Sequence, residues 1–426
     1  MKVLMVITRG DTIGGAQRYV YSLADRLQRD QHEVLVVTGT LGTFTDMLAD
    51  AGIATTLCDS LQRRIHPLND LRAVRSLRRI ICAFRPDLVS AHSSKAGILG
   101  RFASRLHGVP CVFTAHGWAF AEGVSQPGRT MWRLIERLTE PMAARIICVS
   151  ACDQKLAVRH GFAPRRLATI HNGIPDTPLA PHVYRESRWP ARIVMVARFS
   201  PQKDHQTLLR AIQAIPDCEL DFVGDGPLED QMKEYAARLG LRHRVHFHGY
   251  QSDVSAVLAA ADVFVLASRY EGFPLSTLEA MRAGLPSVVS DVGGAGEAVV
   301  HGVTGYLVPA RDVDALRACL QDLVDHRDRR SAMGEAARQR YLSSFTFDRM
   351  YRSTLAIYEE TARNGNSRDV GRTASEDAKK SSELTPAASI RESTGVGRSL
   401  ADTHGTEAPA IPVRPRHRRL WRSVWD

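Results

Sequence analysis

The chain has 426 residues, which is too many for one ordinary hydrophobic core and suits two α/β domains. Its hydrophobic content of 44% and charged content of 24% are ordinary for a globular protein, and no apolar stretch has the length needed to cross a bilayer. The net charge of +10 favours anionic partners, whether nucleic acid, an acidic membrane surface or phosphorylated substrates. Because basic and acidic residues are interleaved, charge alone does not choose among these partners.

The cysteines and the first residues bear on the cellular compartment. The seven cysteines form no CxxC pair, so we expect reduced thiols of a cytosolic protein. The apolar run from Val3 to Ile7 is followed by no small-residue cleavage site, which predicts a first strand rather than an export signal. Any association with a membrane should therefore be peripheral.

Short apolar strands alternate with amphipathic helices through residues 1–178, the predicted first domain. The first strand leads into a loop that contains Gly14 and Gly15, and a helix begins near Ala16. A strand, a glycine loop and a helix direct backbone N–H groups at an anion, although these glycines do not form the GxGxxG dinucleotide fingerprint. His116 directly follows a later strand and is a candidate site residue, although a histidine there is more often structural. The alternation predicts a doubly wound parallel sheet.

A helix predicted at residues 69–85 carries apolar residues on one side and arginines on the other. A solvated surface is the usual meaning of such a basic face, and a patch that faces a membrane or phosphates is the alternative. The arginines of this face, with two that precede the helix, are Arg63, Arg64, Arg72, Arg75, Arg78 and Arg79.

Residues 175–190 hold four prolines and show no clear apolar period, which predicts a linker at residues 179–190, after which the alternation of strands and helices restarts. The second domain is predicted at residues 191–345. Arg198 and Lys203 lie together in the loop that follows its first strand. The plainer interpretation, that both are ordinary surface residues, does not explain why two cations lie in one loop at a strand end.

A buried strand and a helix flank two glutamates in the second domain. Residues 261–266 are almost continuously apolar, which predicts the strand, and apolar residues at helical spacing follow Pro274. Glu271 should then lie on the loop at the carboxyl end of the strand, and Glu279 about two turns into the helix. Open α/β sheets bind ligands at such loops, so the pair could hold a polyol and its phosphates. Two solvated glutamates are the plainer interpretation of the pair taken alone.

The end of the chain changes in composition. Residues 346–364 predict a final amphipathic helix. Residues 365–426 are rich in Ser, Thr, Gly, Ala and charges, which predicts a disordered basic tail. Arginines alternate with tryptophans near its end, which suits lipid headgroups or nucleic acid, and an unstructured solubilising tail is the alternative.

Six short motifs follow one another along the chain: Gly14-Gly15-Ala16, His116-Gly117, Asn172-Gly173-Ile174, Arg198 with Lys203, Gly224-Asp225-Gly226-Pro227, and Glu271 to Glu279. In this order and at these separations, the set resembles the retaining nucleotide-sugar glycosyltransferases of the GT-B fold, in the family usually called family 4. The likeness covers residues 1 to about 360. Residues 92–97 and 114–120 are similar to those of bacterial members that build polysaccharides on polyprenyl-diphosphate carriers.

The resemblance implies a fold and roles for the site residues. It implies two Rossmann-like domains that face a cleft, with the donor held mostly by the second. Arg198 and Lys203 match the cations that hold the donor diphosphate, where leaving-group charge develops. Glu271 matches the acid that holds the donor sugar, and Glu279 matches the acid that accepts hydrogen bonds from the ribose. His116 matches a histidine that orients the sugar.

The resemblance also implies further contacts with the donor. Backbone N–H groups at a helix start would grip the diphosphate, a second-domain loop would contact the base, and the first-domain glycine loop would approach the donor. These residues are Gly14, Gly15, Asn172, Gly249, Tyr250, Phe273, Leu275 and Ser276. No metal or cofactor is expected, because the two cations can neutralise the leaving diphosphate. No general base is assigned, because the leaving phosphate can accept the acceptor's proton in a front-face attack. Gln17 stands where many relatives carry an acid, which leaves open how the first helix contacts the acceptor.

The leading hypothesis is a cytoplasmic, membrane-peripheral, retaining hexosyltransferase. It would use a UDP- or GDP-sugar and a polyprenyl-diphosphate-linked saccharide acceptor in exopolysaccharide, capsule or lipopolysaccharide biosynthesis, with its basic face and tail at an anionic inner leaflet. A GT-B nucleotide-sugar epimerase, which acts without an acceptor, is one alternative. A non-catalytic scaffold that binds polyprenyl intermediates is another, and its signature would be the loss of a cation or glutamate. A nucleic-acid partner, supported only by charge and the tail, is not expected.

Overall fold

The computed structural model describes residues 1–121, 128–177 and 190–382. Two parallel sheets, one in each domain, form its framework. They confirm the predicted α/β class with two doubly wound domains. Within the ranges given above, no helix is both long enough and apolar enough to span a membrane.

The first sheet has inner strands made mostly of buried residues, as expected for strands covered on both faces, whereas its edge strands are partly exposed. Its strands are β1 (Lys2–Ile7), β2 (Glu33–Thr38), β3 (Ala54–Leu57), β4 (Leu88–His92), β5 (Cys111–Ala115), β6 (Arg145–Cys148) and β7 (Leu167–Thr169). They pair in the order β3-β2-β1-β4-β5-β6-β7. The order reverses between β1 and β4, and open α/β sheets bind ligands beside such a reversal.

The helices of the first domain pack on both faces of this sheet. They are α1 (Gly15–Arg29), α2 (Thr43–Asp50), α3 (Pro67–Phe84), α4 (Ser94–Leu106), α5 (Gly128–Thr139) and α6 (Ala151–Arg159). Apolar residues of α1 and α2 join one core, and those of α3, α4 and α6 join the other. The patterns of α5 and α6 were not recognised from the sequence.

The second sheet pairs in the order β10-β9-β8-β11-β12-β13, where the strands are β8 (Ala191–Val196), β9 (Cys218–Val223), β10 (Val245–Phe247), β11 (Val263–Leu266), β12 (Ser287–Ser290) and β13 (Gly305–Val308). Its reversal lies between β8 and β11, the two strands that precede the predicted cations and glutamates. The remaining helices are α7 (His205–Gln213), α8 (Glu229–Arg238), α9 (Ser255–Ala260), α10 (Leu275–Arg282), α11 (Ala295–Ala298), α12 (Val313–Asp325), α13 (Arg327–Ser344) and α14 (Phe347–Ser382).

The final helix, α14, packs against the first sheet although it follows the second. Its residues Phe347, Met350, Tyr351 and Tyr358 are buried in one core with residues of β1 and α1. The first domain therefore takes part of its core from the last described segment of the chain.

The end of α14 differs from the sequence prediction. That prediction ended the helix at residue 364 and began a disordered tail there, whereas the helix continues to Ser382. The chain contains no proline between the start of α14 and Pro386, so no helix-breaking residue of that kind ends the helix earlier. Residues 383–426 of the predicted tail lie outside the described residues, as does the predicted linker, 179–190, apart from its last residue.

The two domains belong to one compact unit, Met1–Ala374, and meet beside an isolated parallel bridge between Ile174 and Thr346. A side chain at Gly173 would place its Cβ 2.3 Å from the carbonyl oxygen of Thr346. Tyr341 donates a hydrogen bond of 3.0 Å to the carbonyl of Ile174. The chain is thus tightly packed where the domains join.

A buried ion pair holds α5 against α4. Arg101 on α4 and Glu136 on α5 are both fully buried and pair through Nη2 and Oε2. Arg101 also donates from Nε to the carbonyl of Gly97 at 2.8 Å, and it lies 4.5 Å from the centroid of the Phe113 ring. Removing one partner would leave the other charge buried without compensation.

We expect Glu136→Leu to lower the free energy of unfolding by about 3 kcal/mol, because it strands the Arg101 charge in the core. The double substitution Arg101→Met with Glu136→Leu should recover most of that loss. Chemical denaturation of the three proteins measures both effects. If the single variant proves no less stable than the double, the pair does not hold α5 in place.

Candidate active site

Glu271 is held by polar side chains just after β11. Its carboxylate is buried, forms an ion pair with Lys203, and accepts a hydrogen bond of 2.5 Å from Oγ of Ser268. Gln202 Nε2 lies 3.4 Å from its other oxygen and donates to the carbonyl of Tyr270 at 2.8 Å. The structure thus brings Lys203 and Glu271 into contact, although the sequence assigned them to different parts of the donor.

Arg198 lies with Lys203 in the loop between β8 and α7. It is exposed, and its guanidinium has no ion-pair partner among the described residues. The neighbouring loop supports this one, because the N–H of Phe199 donates to the carbonyl of Asp225 at 2.8 Å. At Gly226, with φ of +151°, a Cβ would lie 2.4 Å from the carbonyl oxygen of Phe199. The close approach requires glycine and fixes the backbone beside Arg198.

The start of α10 offers backbone N–H groups without intrahelical partners. The helix begins at Leu275, directly after Pro274, and no side chain caps it. Such N–H groups, including that of Ser276, attract an anion together with the helix dipole. Glu279 is half-buried and lies about one turn into the helix, so the predicted position two turns in was wrong. Five residues make little more than one turn at 3.6 residues per turn.

The first domain contacts this loop through closely packed backbone. A Cβ at Gly272 would lie 2.7 Å from the carbonyl oxygen of His116. A Cβ at Gly15 would lie 3.9 Å from the first side chain of α10. Asn172 is buried and donates from Nδ2 to the carbonyl of Phe273 at 2.8 Å. Three predicted residues of the first domain therefore lie against the loop that follows Glu271.

His116 belongs to a group of packed rings at the end of β5. Its Nε2 lies 3.1 Å from Nδ1 of the buried His92, and the two rings stack with centroids 5.4 Å apart. Tyr19 contacts His116 edge-on, with centroids 4.8 Å apart. Burial lowers the pKa of His116 to about 4 and the pKa of His92 well below its usual value, so both rings are neutral at pH 7. His116 therefore offers the cleft a neutral hydrogen-bonding group.

Gly249 and Tyr250 lie in the loop that follows β10. Gly249 has φ of +66°, and its carbonyl accepts a hydrogen bond of 2.8 Å from the N–H of Gly224. Tyr250 is exposed. Arg18 on α1 donates from Nη2 to the carbonyl of Ser252 at 2.9 Å, which joins the domains beside this loop. Arg18 was missed in the sequence, because only the fold brings α1 to this place.

Gln17 braces the glycine loop before α1. Its Oε1 accepts a hydrogen bond of 3.2 Å from the N–H of Gly14, and its Nε2 donates to the carbonyl of Arg9 at 3.3 Å. The side chain of Gln17, which stands where many relatives carry an acid, is therefore hydrogen-bonded within its own loop. Among the described residues, no three His, Cys, Asp or Glu side chains are grouped to hold a metal ion.

Two family profiles match the chain, and together they span both domains. One, described as a glycosyl transferase 4-like domain, matches residues 14–173, and the other, glycosyl transferases group 1, matches residues 184–340. The UDP-Gal:alpha-D-GlcNAc-diphosphoundecaprenol alpha-1,3-galactosyltransferase of Escherichia coli is 31% identical over 336 residues, which cover 74% of this chain and 86% of that protein. The chain belongs to glycosyltransferase family 4. The family resemblance carried by the six motifs is thereby confirmed.

Further similarities agree with this assignment. The O-antigen biosynthesis glycosyltransferase WbnH of Escherichia coli is 25% identical to this glycosyltransferase over 350 residues, covering 81% of the chain and 98% of WbnH. The crystal structure of Anabaena Alr3699/HepE in complex with UDP is 22% identical and superposes with a TM-score of 0.72, covering 84% of this chain and 100% of that one. The predicted GT-B fold is confirmed.

A glycine pair after β12, to which the sequence reasoning assigned no role, fixes the backbone of Glu271 in the glycosyltransferase. Gly293 has φ of +54°, and a Cβ there would lie 2.0 Å from the carbonyl oxygen of Glu271. The N–H of Gly294 donates to the same carbonyl at 3.4 Å. Two adjacent glycines in the loop that follows a strand were the available signal.

We expect Gly293→Ala to reduce kcat/KM for sugar transfer at least tenfold, because the new Cβ must displace Glu271. Gly302→Ala is the matched control, since Gly302 has φ of +77° but nothing within 4 Å of its missing Cβ. Gly302→Ala should lose about 1 kcal/mol of stability from the left-handed backbone, and Gly293→Ala should lose more, because its Cβ also clashes with the backbone of Glu271. Steady-state kinetics with thermal unfolding separates the effects, and equal activity in the two variants would contradict the role of Gly293.

Proposed function

We propose that this glycosyltransferase transfers a sugar, with retention at the anomeric carbon, from a UDP- or GDP-sugar to a polyprenyl-diphosphate-linked saccharide. The pathway would be exopolysaccharide, capsule or lipopolysaccharide biosynthesis. The name of the 31% identical relative contains UDP-Gal and a diphosphoundecaprenol-linked sugar, which supports the acceptor class and favours a UDP-sugar.

The proposal depends most on the positive groups around one edge of the second sheet. Exposed Arg198, the ammonium of Lys203 beside Glu271, and the uncapped start of α10 all lie after neighbouring strands of that sheet. Negative charge grows on the diphosphate as the glycosidic bond breaks, and fixed positive groups lower that barrier. In this proposal neither a metal nor a cofactor is needed to neutralise the leaving group.

The two glutamates suit different hydroxyl groups of the donor. Glu271 is paired with Lys203 and Ser268, so it can accept a hydrogen bond from the sugar but is not free to attack the anomeric carbon. Glu279 has no hydrogen-bond partner among the described residues, so both its oxygens are available to the ribose hydroxyls. We assign neither residue as nucleophile or general base, and the leaving phosphate takes the acceptor's proton.

We expect Arg198→Ala to lower kcat for transfer by about 100-fold or more, because one fixed charge at the leaving diphosphate is lost. Arg210→Ala is the matched control, since Arg210 is an exposed arginine on α7 of the same domain. Purified protein is assayed with UDP-, GDP- and ADP-sugars for binding and hydrolysis, and then with a lipid-linked acceptor. Full activity of Arg198→Ala would contradict the site.

The same assay separates the alternative functions. An epimerase would convert the donor alone into its epimer. A scaffold would bind without turnover, and it gains no support from a chain that retains Arg198, Lys203, Glu271 and Glu279.

The proposed acceptor lies at a membrane, and helices α3, α4 and α5 form a surface that suits one. We call it the α3–α5 face. The helices lie side by side, and they expose apolar side chains among arginines, a combination that suits anionic headgroups. Its exposed apolar residues are Leu68, Leu71, Phe102, Leu106, Met131, Leu134 and Leu138. Its exposed arginines are Arg72, Arg75, Arg78, Arg79, Arg105, Arg133 and Arg137.

Arg137 is paired with Glu140, which directly follows α5, at 3.4 Å, but the acidic residues of the three helices do not offset the remaining charge. Asp70 pairs with Lys95 at 2.5 Å, and Glu136 is fully buried beside Arg101. We therefore propose that the glycosyltransferase associates peripherally with the inner face of the cell membrane through the α3–α5 face.

We expect Leu134→Ser with Leu138→Ser to weaken binding to vesicles of phosphatidylglycerol and phosphatidylethanolamine about tenfold or more, because both apolar side chains leave the interface. The control is Val300→Ser with Val303→Ser, two exposed valines of the second domain. Vesicle cosedimentation at low and high salt measures binding, and raised salt should weaken it further. Equal binding by both double variants would rule out this face.

A further inference from the structure

A buried chain of hydrogen bonds connects α14 to His116. The hydroxyl of Tyr358 on α14 lies 2.5 Å from Oγ of Ser90 on β4. The same Oγ lies 2.9 Å from Nε2 of His92, whose Nδ1 lies 3.1 Å from Nε2 of His116. Tyr358, Ser90 and His92 are fully buried, whereas His116 is partly exposed. The chain thus runs from the core of the first domain to its cleft.

Each group in this chain has a limited number of protons to donate, and this determines which group donates in each hydrogen bond. Tyr358 has one O–H, and within the described part of the protein its only hydrogen-bond partner is Ser90. If Ser90 donated to Tyr358, the phenolic O–H would be buried without an acceptor, which is costly. Tyr358 therefore donates to Ser90, and the hydroxyl proton of Ser90 goes to His92.

The same reasoning extends to the two histidines. Because both rings are neutral, each carries one N–H. His92 accepts at Nε2 from Ser90, so its proton is on Nδ1, which donates to Nε2 of His116. The remaining nitrogen of His116, Nδ1, then carries the proton.

We propose that Tyr358, Ser90 and His92 are positioning residues that hold His116 as its Nδ1–H tautomer. His116 then presents an N–H donor, rather than a bare nitrogen, at the ring position not bonded to His92. This inference rests on the proposed role of His116 beside the donor sugar. It also gives α14 a part in the site, since the first donor of the hydrogen-bond chain, Tyr358, is on that helix.

The test combines a spectroscopic and a kinetic measurement on the full-length protein. Long-range 1H–15N spectra of protein labelled with 15N-histidine report the tautomer of His116, whose signals are assigned by their loss in His116→Gln. The wild type should show the Nδ1–H form. Ser90→Ala should show a mixture of both tautomers and a kcat for transfer lowered roughly tenfold, with KM for the nucleotide sugar nearly unchanged.

Ser287→Ala is the matched control. Ser287 is a fully buried serine in β12 whose hydroxyl has no hydrogen-bond partner among the described residues. It should leave the His116 spectrum and kcat unchanged. If Ser90→Ala fails to fold, His92→Asn and His92→Leu replace it, because only asparagine can still offer an N–H to His116. The asparagine variant should then retain at least tenfold more activity.

Three results would overturn the inference: an Nε2–H tautomer of His116 in the wild type, an unchanged tautomer and kcat in Ser90→Ala, or equal activity of the two His92 variants. The tautomer is measured without substrate. An inactive wild type with the Nδ1–H form would therefore contradict the proposed function and support the hydrogen-bond chain. An active wild type with the Nε2–H form would contradict the chain alone.

Discussion

Direct packing of backbone on backbone around residues 271–275 is the constraint on which the site depends. Gly272 lies against the carbonyl of His116, and Gly293 lies against the carbonyl of Glu271, with no room for a Cβ at either position. Where the backbones of two domains touch directly, as at Gly272, polar groups from both sheets can come within reach of one small ligand. The carboxyl ends of two sheets supply these groups, and the glycines determine how closely they approach.

The two domains contribute groups of different electrical character. The second domain supplies charge, in Arg198, Lys203 and the two glutamates, at the edge where its strand order reverses. The first domain supplies neutral groups, a glycine loop and a histidine whose charge burial suppresses. The charged residues of the predicted site therefore all belong to the second domain, and His116 is neutral.

The sequence predicted what is local and missed what depends on the order of strands. Strands such as β11 are continuously apolar and were found with their loops. Helix α5 was missed although Met131, Leu134 and Leu138 recur at helical spacing, so a local signal was available there. The ion pair of Lys203 with Glu271 joins residues 68 apart, and it follows from the adjacency of β8 and β11. The bond between Ser90 and Tyr358 spans 268 residues and requires the docked α14.

The position of α14 has a consequence for how the protein is made. All seven strands of the first sheet leave the ribosome before residue 170, but the side chains of Phe347, Met350 and Tyr358 that complete its core follow only after the entire second sheet. Until then, apolar residues of that core remain uncovered, a state prone to aggregation. The first domain should thus finish folding last, in an order opposite to that of synthesis, and a nascent chain interrupted before α14 would be a natural substrate for chaperones.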